Sequence, residues 1–170
     1  LTAPGSEPHD LELTPRQVAA LATADLVVYQ SGFQAAVDTA IAQQEPARVV
    51  DAASFLTMLS ATSDGEEQAA SAGASGTDPH TWLDPTNLAQ VAEHVRDALT
   101  QARPADAAIF AANTNRLVAE LTALDVEIKA DLTACAIQPF ITSHEAFGYL
   151  AKRYGLTQVG IRGLEPDVEP

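Results

Sequence analysis

One stretch limits the folds open to this chain more than any other. From Pro104 onward the residues Leu117, Leu121, Leu124, Ile128 and Leu132 recur in steps of mostly four and three. That spacing puts them on one face of an α-helix, and Pro104 suits the first helical position, where no backbone N–H is needed. About 28 residues at 1.5 Å each make a rod of roughly 42 Å, longer than a small lobe is wide. Such a rod either spans two lobes as a strut or lies across the surface of one domain; the spacing leaves both open. The length of 170 residues suits one ordinary domain or two small lobes. With 46% hydrophobic and 19% charged residues, the chain has enough apolar material for a packed core. Aromatics are only 5%, and the Ala-rich, Leu/Val-punctuated pattern favours helices over an all-β sandwich.

Shorter elements precede and follow the rod. Thr14-Pro15-Arg16-Gln17 reads as a helix start with a capping box, and the helix should run to about Thr23. Leu26–Tyr29 is an expected buried strand, Gln30-Ser31-Gly32 a turn, and Phe33 to about Gln43 a second helix. Val49-Val50 is another strand, and Ala52 to Leu59 a short helix. Residues 61–78 are small and polar without helical or strand spacing, which reads as a mobile surface loop. The two-proline segment Asp78–Pro85 leads into a helix with the stripe Leu88, Val91, Val95 and Leu99. After the rod, Phe140-Ile141-Thr142 is a strand end, Ser143 caps a helix from about His144 to Tyr154, and Val159-Gly160-Ile161 is a strand leading to a Pro-rich loop. Strands alternating with helices predict an α/β fold with a mostly parallel sheet.

A net charge of −14 repels phosphate backbones and argues against a nucleic-acid partner. The lone Cys135 excludes an intrachain disulfide and a CxxC zinc site. It reads as a small core residue rather than a nucleophile. No apolar run reaches transmembrane length and no signal peptide is visible. The chain starts at Leu1 and stops at Glu165–Pro170, so both ends read as cut and a missing export signal carries no weight.

The chemistry rests on histidine. His9 lies in a loop before a capped helix, His80 in the proline-braced segment before another, and His144 directly after a short strand. Loops at the carboxyl ends of strands line the crevice where open α/β sheets bind ligands. Three imidazoles from distant positions can converge there on one ion, and three neutral imidazoles with one further position suit tetrahedral zinc. A helix N-terminus at His144 would disfavour the protonated ring and keep it available to a metal. Taken singly, each of these histidines reads more readily as a surface or capping residue. His94, mid-helix between Glu93 and Arg96, reads as a solvated or half-buried helix residue and is excluded from the set.

Four segments in order make the chain resemble a known family. They are Pro8–Pro15 (PHDLELTP), Ala24–Tyr29 (ADLVVY), Asp78–Pro85 (DPHTWLDP) and Thr142–Leu150 (TSHEAFGYL). Together they resemble the zinc-specific solute-binding proteins of bacterial ABC transporters, the metal-binding cluster with a rigid linking helix. The end, Gly163–Pro170, is similar to a family loop that precedes a helix. The resemblance implies two Rossmann-like lobes, each a parallel sheet with helices, joined by a long linking helix, with the second lobe incomplete. Residues 1–103 would form the N-terminal metal-binding lobe without its first strand and helix, 104–134 the linking helix, and 135–170 the start of the C-terminal lobe. His9 and His80 would come from the first lobe and His144 from the second.

The resemblance further implies capture of Zn²⁺ outside the cytoplasmic membrane, in the periplasm or on a lipid anchor, and delivery by a monomer to the permease subunits of an ABC importer. A third imidazole at His144, where manganese carriers tend to have a carboxylate, favours Zn²⁺ over Mn²⁺. The fourth ligand stays open: a carboxylate far downstream, a water, or a glutamate before the first histidine, where Pro8 stands and only Glu7 is near. Zinc carriers often have a His-rich loop before the second ligand; here 61–78 has Asp64, Glu66, Glu67 and Asp78 but no histidine, and reads as a plain flexible loop. Asp10 and Asp84 are candidates to orient ligands, or else helix caps. Trp82 either walls the site against water or packs in the core. The alternatives are a manganese-binding homologue, a metal-braced adhesive surface protein and, least supported, a zinc hydrolase. The hydrolase lacks its pattern, because Gly148 stands where HExxH needs the second histidine. GxSxG, P-loop and GxGxxG motifs are absent as well.

Overall fold

The computed structural model describes residues 8, 9, 11–60 and 76–161. Helix α1 (Pro15–Thr23) begins with the expected reciprocal cap: the Gln17 N–H donates to Thr14 Oγ1 at 3.3 Å, and the Thr14 N–H to Gln17 Oε1 at 2.9 Å. Strand β1 (Val27–Tyr29) leads through helix α2 (Ala35–Gln44) to strand β2 (Val49–Asp51), and the strands pair in parallel with Val28 opposite Val50. Parallel partners need such a crossover, because a tight hairpin returns the chain antiparallel. Leu21, Val27, Val37, Ala40 and Ile41 pack as one buried cluster, with Leu11, Leu13 and Val18 against it.

The segment expected to be a short helix at Ala52–Leu59 is instead a single 3₁₀ turn, Ala52–Ser54, followed by strand β3 (Leu59–Ser60). Asp51 Oδ1 accepts the N–H groups of Ala53 at 3.0 Å and Ser31 at 2.9 Å, which fastens a turn rather than seeding a helix. β3 pairs antiparallel with β4 (Thr77–Asp78), Leu59 opposite Asp78. The expected loop 61–78 therefore ends in a strand; its residues 61–75 lie outside the described ones. This pairing joins residues far apart in sequence, so local spacing carried no trace of it.

After a 3₁₀ turn at Thr81–Leu83, helix α3 (Pro85–Ala102) starts at the proline expected, capped by Asp84, whose Oδ1 accepts the Thr86 N–H at 2.8 Å. A further 3₁₀ turn, Pro104–Asp106, precedes the rod, helix α4 (Ala107–Thr133). Its 27 residues span roughly 40 Å. It packs against α3 and also against a later helix, α5 (Gly148–Tyr154). Of its apolar stripe Leu121 is buried, whereas Leu117 and Leu124 are 41% and 43% exposed. Strands β5 (Pro139–Thr142) and β6 (Thr157–Gly160), connected through α5, form a second parallel pair. The α/β class with parallel pairs and a long helix is thus borne out. Among the described residues no helix is long and apolar enough to cross a membrane.

α5 starts at Gly148, not near His144, and Ser143 does not cap it. Gln158 on β6 explains the shorter helix. Its Oε1 accepts the Phe147 N–H at 3.0 Å, and its Nε2 donates to the His144 carbonyl at 3.2 Å, the acceptor that a bond from Gly148 would have used in a longer helix. His144 therefore sits on irregular backbone, and the expected helix-terminus effect on its ring does not apply.

α5 is tied to the rod by charge. Arg153 donates to both oxygens of Asp125 on α4, at 2.6 and 2.7 Å, and its Nε stands 3.3 Å from Asp84 Oδ1. The Tyr154 hydroxyl adds a bond to Asp125 at 3.0 Å. The hydrogen bonds from Arg153, aided by that from Tyr154, hold Asp125 below its ordinary value of 3.8 despite partial burial. A depressed folded value means stability that is present above the unfolded pKa and lost as pH falls through the folded one. Asp125→Asn should cost ~0.5–1 kcal/mol at pH 7, discounted for solvent screening, and lower the melting temperature by about 2–4 °C. The difference from the parent should shrink as pH falls below about 4, which thermal unfolding at pH 7 and pH 3 measures.

Candidate metal centre

Three segments distant in sequence bring three imidazoles to one point. His9 Nε2 lies 3.3 Å from His80 Nε2, and His144 Nε2 lies 3.1 Å from the same atom. The donor atoms of the three all fall within 4.8 Å of one another, the arrangement of a possible metal site. The rings do not stack. Their planes meet at 56° (His9 and His80), 77° (His80 and His144) and 89° (His9 and His144), so they radiate from a shared focus. A tetrahedral ion with Zn–N bonds of 2.0–2.1 Å has edges of about 3.3 Å, which the two measured separations approach. Three nitrogens on one face of a tetrahedron leave the fourth position open.

Each histidine is positioned through its backbone. Gln34, at the N-cap of α2, donates to the Pro8 carbonyl at 2.6 Å and so steadies the bend carrying His9. The edge-on ring of Phe33 packs beside His9 at 4.9 Å between centroids. Gln30, directly after β1, brackets His80: its Nε2 donates to the Pro79 carbonyl, and its Oε1 accepts from Thr81 Oγ1 at 2.5 Å. Gln158 fixes the segment of His144 and also donates to Thr142 Oγ1 at 2.8 Å. Irregular backbone must find partners for its peptide groups, and at these three places a glutamine side chain helps supply them.

His80 is the most confined of the three, at 2% exposure. Asp78 Oδ1 accepts its backbone N–H at 2.9 Å and faces its Nδ1 at 2.8 Å. With Nδ1–H donating to the carboxylate, the Nε2 lone pair is directed at the focus, the arrangement by which second partners orient metal-binding imidazoles. Asp78 is in turn held by α5: the Tyr149 hydroxyl donates to the Asp78 carbonyl at 2.8 Å and accepts the Leu59 N–H at 2.9 Å. Burial pushes the Tyr149 phenol up to about 12, with the nearby Asp78 charge adding to the rise and the Leu59 bond opposing it. It therefore keeps its donor proton at physiological pH.

The structure thus brings together His9, His80 and His144, as the sequence suggested. His94 stands apart, stacked on Phe55 at 3.7 Å and 12°. Asp84 serves as the α3 cap and a partner of Arg153 and is not the carboxylate against a ring of the cluster; the one that faces His80 is Asp78. Asp10 and Glu7 lie outside the described residues. Trp82 contacts the rings of His80 and Phe33 but remains 41% exposed, so it flanks the cluster without sealing it. Sequence reasoning missed Asp78 as an orienting group, although an Asp two residues before the histidine, across a proline, is a common side-chain turn. It also missed Gln30, Gln34, Gln158 and Tyr149, whose partners are set by tertiary contacts.

Known proteins are similar to this chain in sequence and in fold. The chain is 34% identical over 179 residues to the zinc-binding lipoprotein AdcA of Streptococcus pneumoniae serotype 4, covering 100% of this chain and 35% of that protein. It is 32% identical to the high-affinity zinc uptake system protein ZnuA of Bacillus subtilis, covering 96% of this chain and 53% of the relative. The solved structure of a Zn(II)-bound mutant variant of AdcAII from Streptococcus pneumoniae superposes with a TM-score of 0.81 at 28% identity, over 98% of this chain and 62% of that one. The chain thus spans between a third and two thirds of the length of these relatives. The model of the ZnuA family, described as zinc-uptake complex component A, periplasmic, matches residues 1–170, and the chain belongs to that family.

Proposed function

We propose that this chain supplies the ion-binding part of a protein that captures Zn²⁺ outside the cytoplasmic membrane and passes it to the permease subunits of an ABC importer, with His9, His80 and His144 as ligands. The observation that carries the proposal is the convergence of three Nε2 atoms from separate segments, with separations of 3.1 and 3.3 Å around His80. Imidazole nitrogen is a donor that suits zinc better than manganese. The names of the relatives, a zinc-binding lipoprotein and a high-affinity zinc uptake protein, support the same cargo and an extracytoplasmic place, whether periplasmic or lipid-anchored. The family's division follows from this reading: 1–103 as the first lobe, 104–134 as the linking helix and 135–170 as part of the second. The carrier acts as a monomer.

Carriage rather than catalysis fits the groups around the cluster. A zinc hydrolase needs a base free to take a proton from metal-bound water. Asp78, the carboxylate against His80, is already engaged by the ring and backbone N–H groups of that residue. Gly148 occupies the place of the second histidine in HExxH.

Competition titration of Zn²⁺ against a chromogenic chelator tests the assignment. His80→Ala should weaken binding by more than about a hundredfold, beyond what loss of an orienting group costs, while His94→Ala stays within about twofold of the parent. Comparable losses in the two variants would refute the ligand set. Because imidazole must shed its proton to bind a metal, affinity should be at least about tenfold lower at pH 5.5 than at pH 7.5. Equal affinities at the two pH values would argue against imidazole ligation.

A further inference from the structure

Asp78 has a second side. While Oδ1 serves His80, Oδ2 faces the first residue of α5, so closely that a Cβ built on Gly148 would stand 2.6 Å from it. The next residue, Tyr149, is 4% exposed and spans the pair Leu59 and Asp78, which are opposite each other in the β3–β4 ladder. One short stretch of α5 thus confines Asp78 by side chain and by backbone. That stretch follows His144 by only a few residues. From this juxtaposition we infer that Gly148 and Tyr149 are positioning residues for metal binding, acting on His80 through Asp78. The inference rests on His80 being a ligand, as proposed above.

The physical argument is steric and directional. Asp78 is 3% exposed, and its carboxylate has little room to turn. Its orientation decides whether Oδ1 meets His80 Nδ1, and that contact aims the Nε2 lone pair. A glycine at position 148 leaves the carboxylate its place. Alanine at a helix start ordinarily stabilises relative to glycine, yet here its methyl group would push Oδ2 aside and rotate Oδ1 away from the imidazole. The Tyr149 hydroxyl fixes the other end of the same residue by taking up the Asp78 carbonyl. Seating of α5, which follows the segment bearing His144, is thereby linked to the aim of His80.

A double-mutant cycle on the whole chain, read by Zn²⁺ competition titration, tests the inference. Asp78→Ala should weaken Zn²⁺ binding by about 10–100-fold and Gly148→Ala by about tenfold. In the Asp78→Ala background Gly148→Ala should cost nothing further, because there is no carboxylate left to displace. The ¹⁵N shifts of the His80 ring in the metal-free chain should report the proton on Nδ1 in the parent, and a mixture of tautomers in Gly148→Ala. If Gly148→Ala does not fold, Tyr149→Phe decides, since it keeps the buried ring: about a threefold or greater loss of affinity is expected. Additive losses in the cycle, a parent-like His80 ring in Gly148→Ala, or parent affinity in Tyr149→Phe would each overturn the inference. His80→Ala measured alongside separates the two levels. If it leaves affinity intact, the ligand reading itself fails; if it abolishes binding while the cycle is additive, only the positioning role fails.

Discussion

The pairing of the Asp78 carboxylate with the ring and backbone N–H groups of His80 is the interaction around which the cluster is built. Three nitrogen lone pairs facing one spot repel one another, so the rings need restraint from outside the cluster. His80 receives the strongest restraint because its partner is charged, buried and short-range, conditions under which a hydrogen bond is strongest. His9 and His144 both measure their distance to His80 Nε2, which makes that atom the reference for the other two.

The remaining restraint comes through the main chain. None of the three histidines lies within a regular helix or strand, and each adjoins peptide groups that no ladder can satisfy. Gln34, Gln30 and Gln158 fill that need with neutral amides that donate and, in two cases, also accept. A charged side chain in these places would add its own field beside the histidine cluster. An amide holds the backbone without doing so. Two of the three sit at or within parallel strands, Gln30 just past β1 and Gln158 inside β6, so the α/β scaffold transmits its rigidity to the site over one side-chain length.

What could be read from the residues alone follows the range of the interactions. The capping box of α1, the proline starts at Pro15 and Pro85 and the length of α4 depend on neighbours within a few positions, and they were legible. The three histidines stood out because they share a context of loop before helix or after strand, and the order of four motifs supplied the rest. The β3–β4 pair was illegible because it joins Leu59 to Asp78 across residues 61–75, and the late start of α5 because it depends on Gln158 reaching back from the next strand. Asp84 illustrates the same limit from the other side: its capping role is local and was foreseeable, whereas its contact with Arg153 is tertiary. The glutamines carried no signal, since nothing about an isolated glutamine distinguishes a surface residue from a clamp.

The two attachments of α5 differ in a way that bears on function. Arg153 grips Asp125 and reaches Asp84 at a partly exposed position, where solvent and salt weaken the attraction. Tyr149 is buried, and two of its hydrogen bonds go to backbone groups of the β3–β4 pair that holds Asp78. Loosening the first leaves α5 free to shift on the rod at small cost, because water replaces the lost partners. Loosening the second strands a part-buried N–H and a buried carbonyl, a cost that water at the surface offsets less fully. Movement of α5 is therefore cheap at its Arg153 end and expensive at its Gly148–Tyr149 end, next to the histidines.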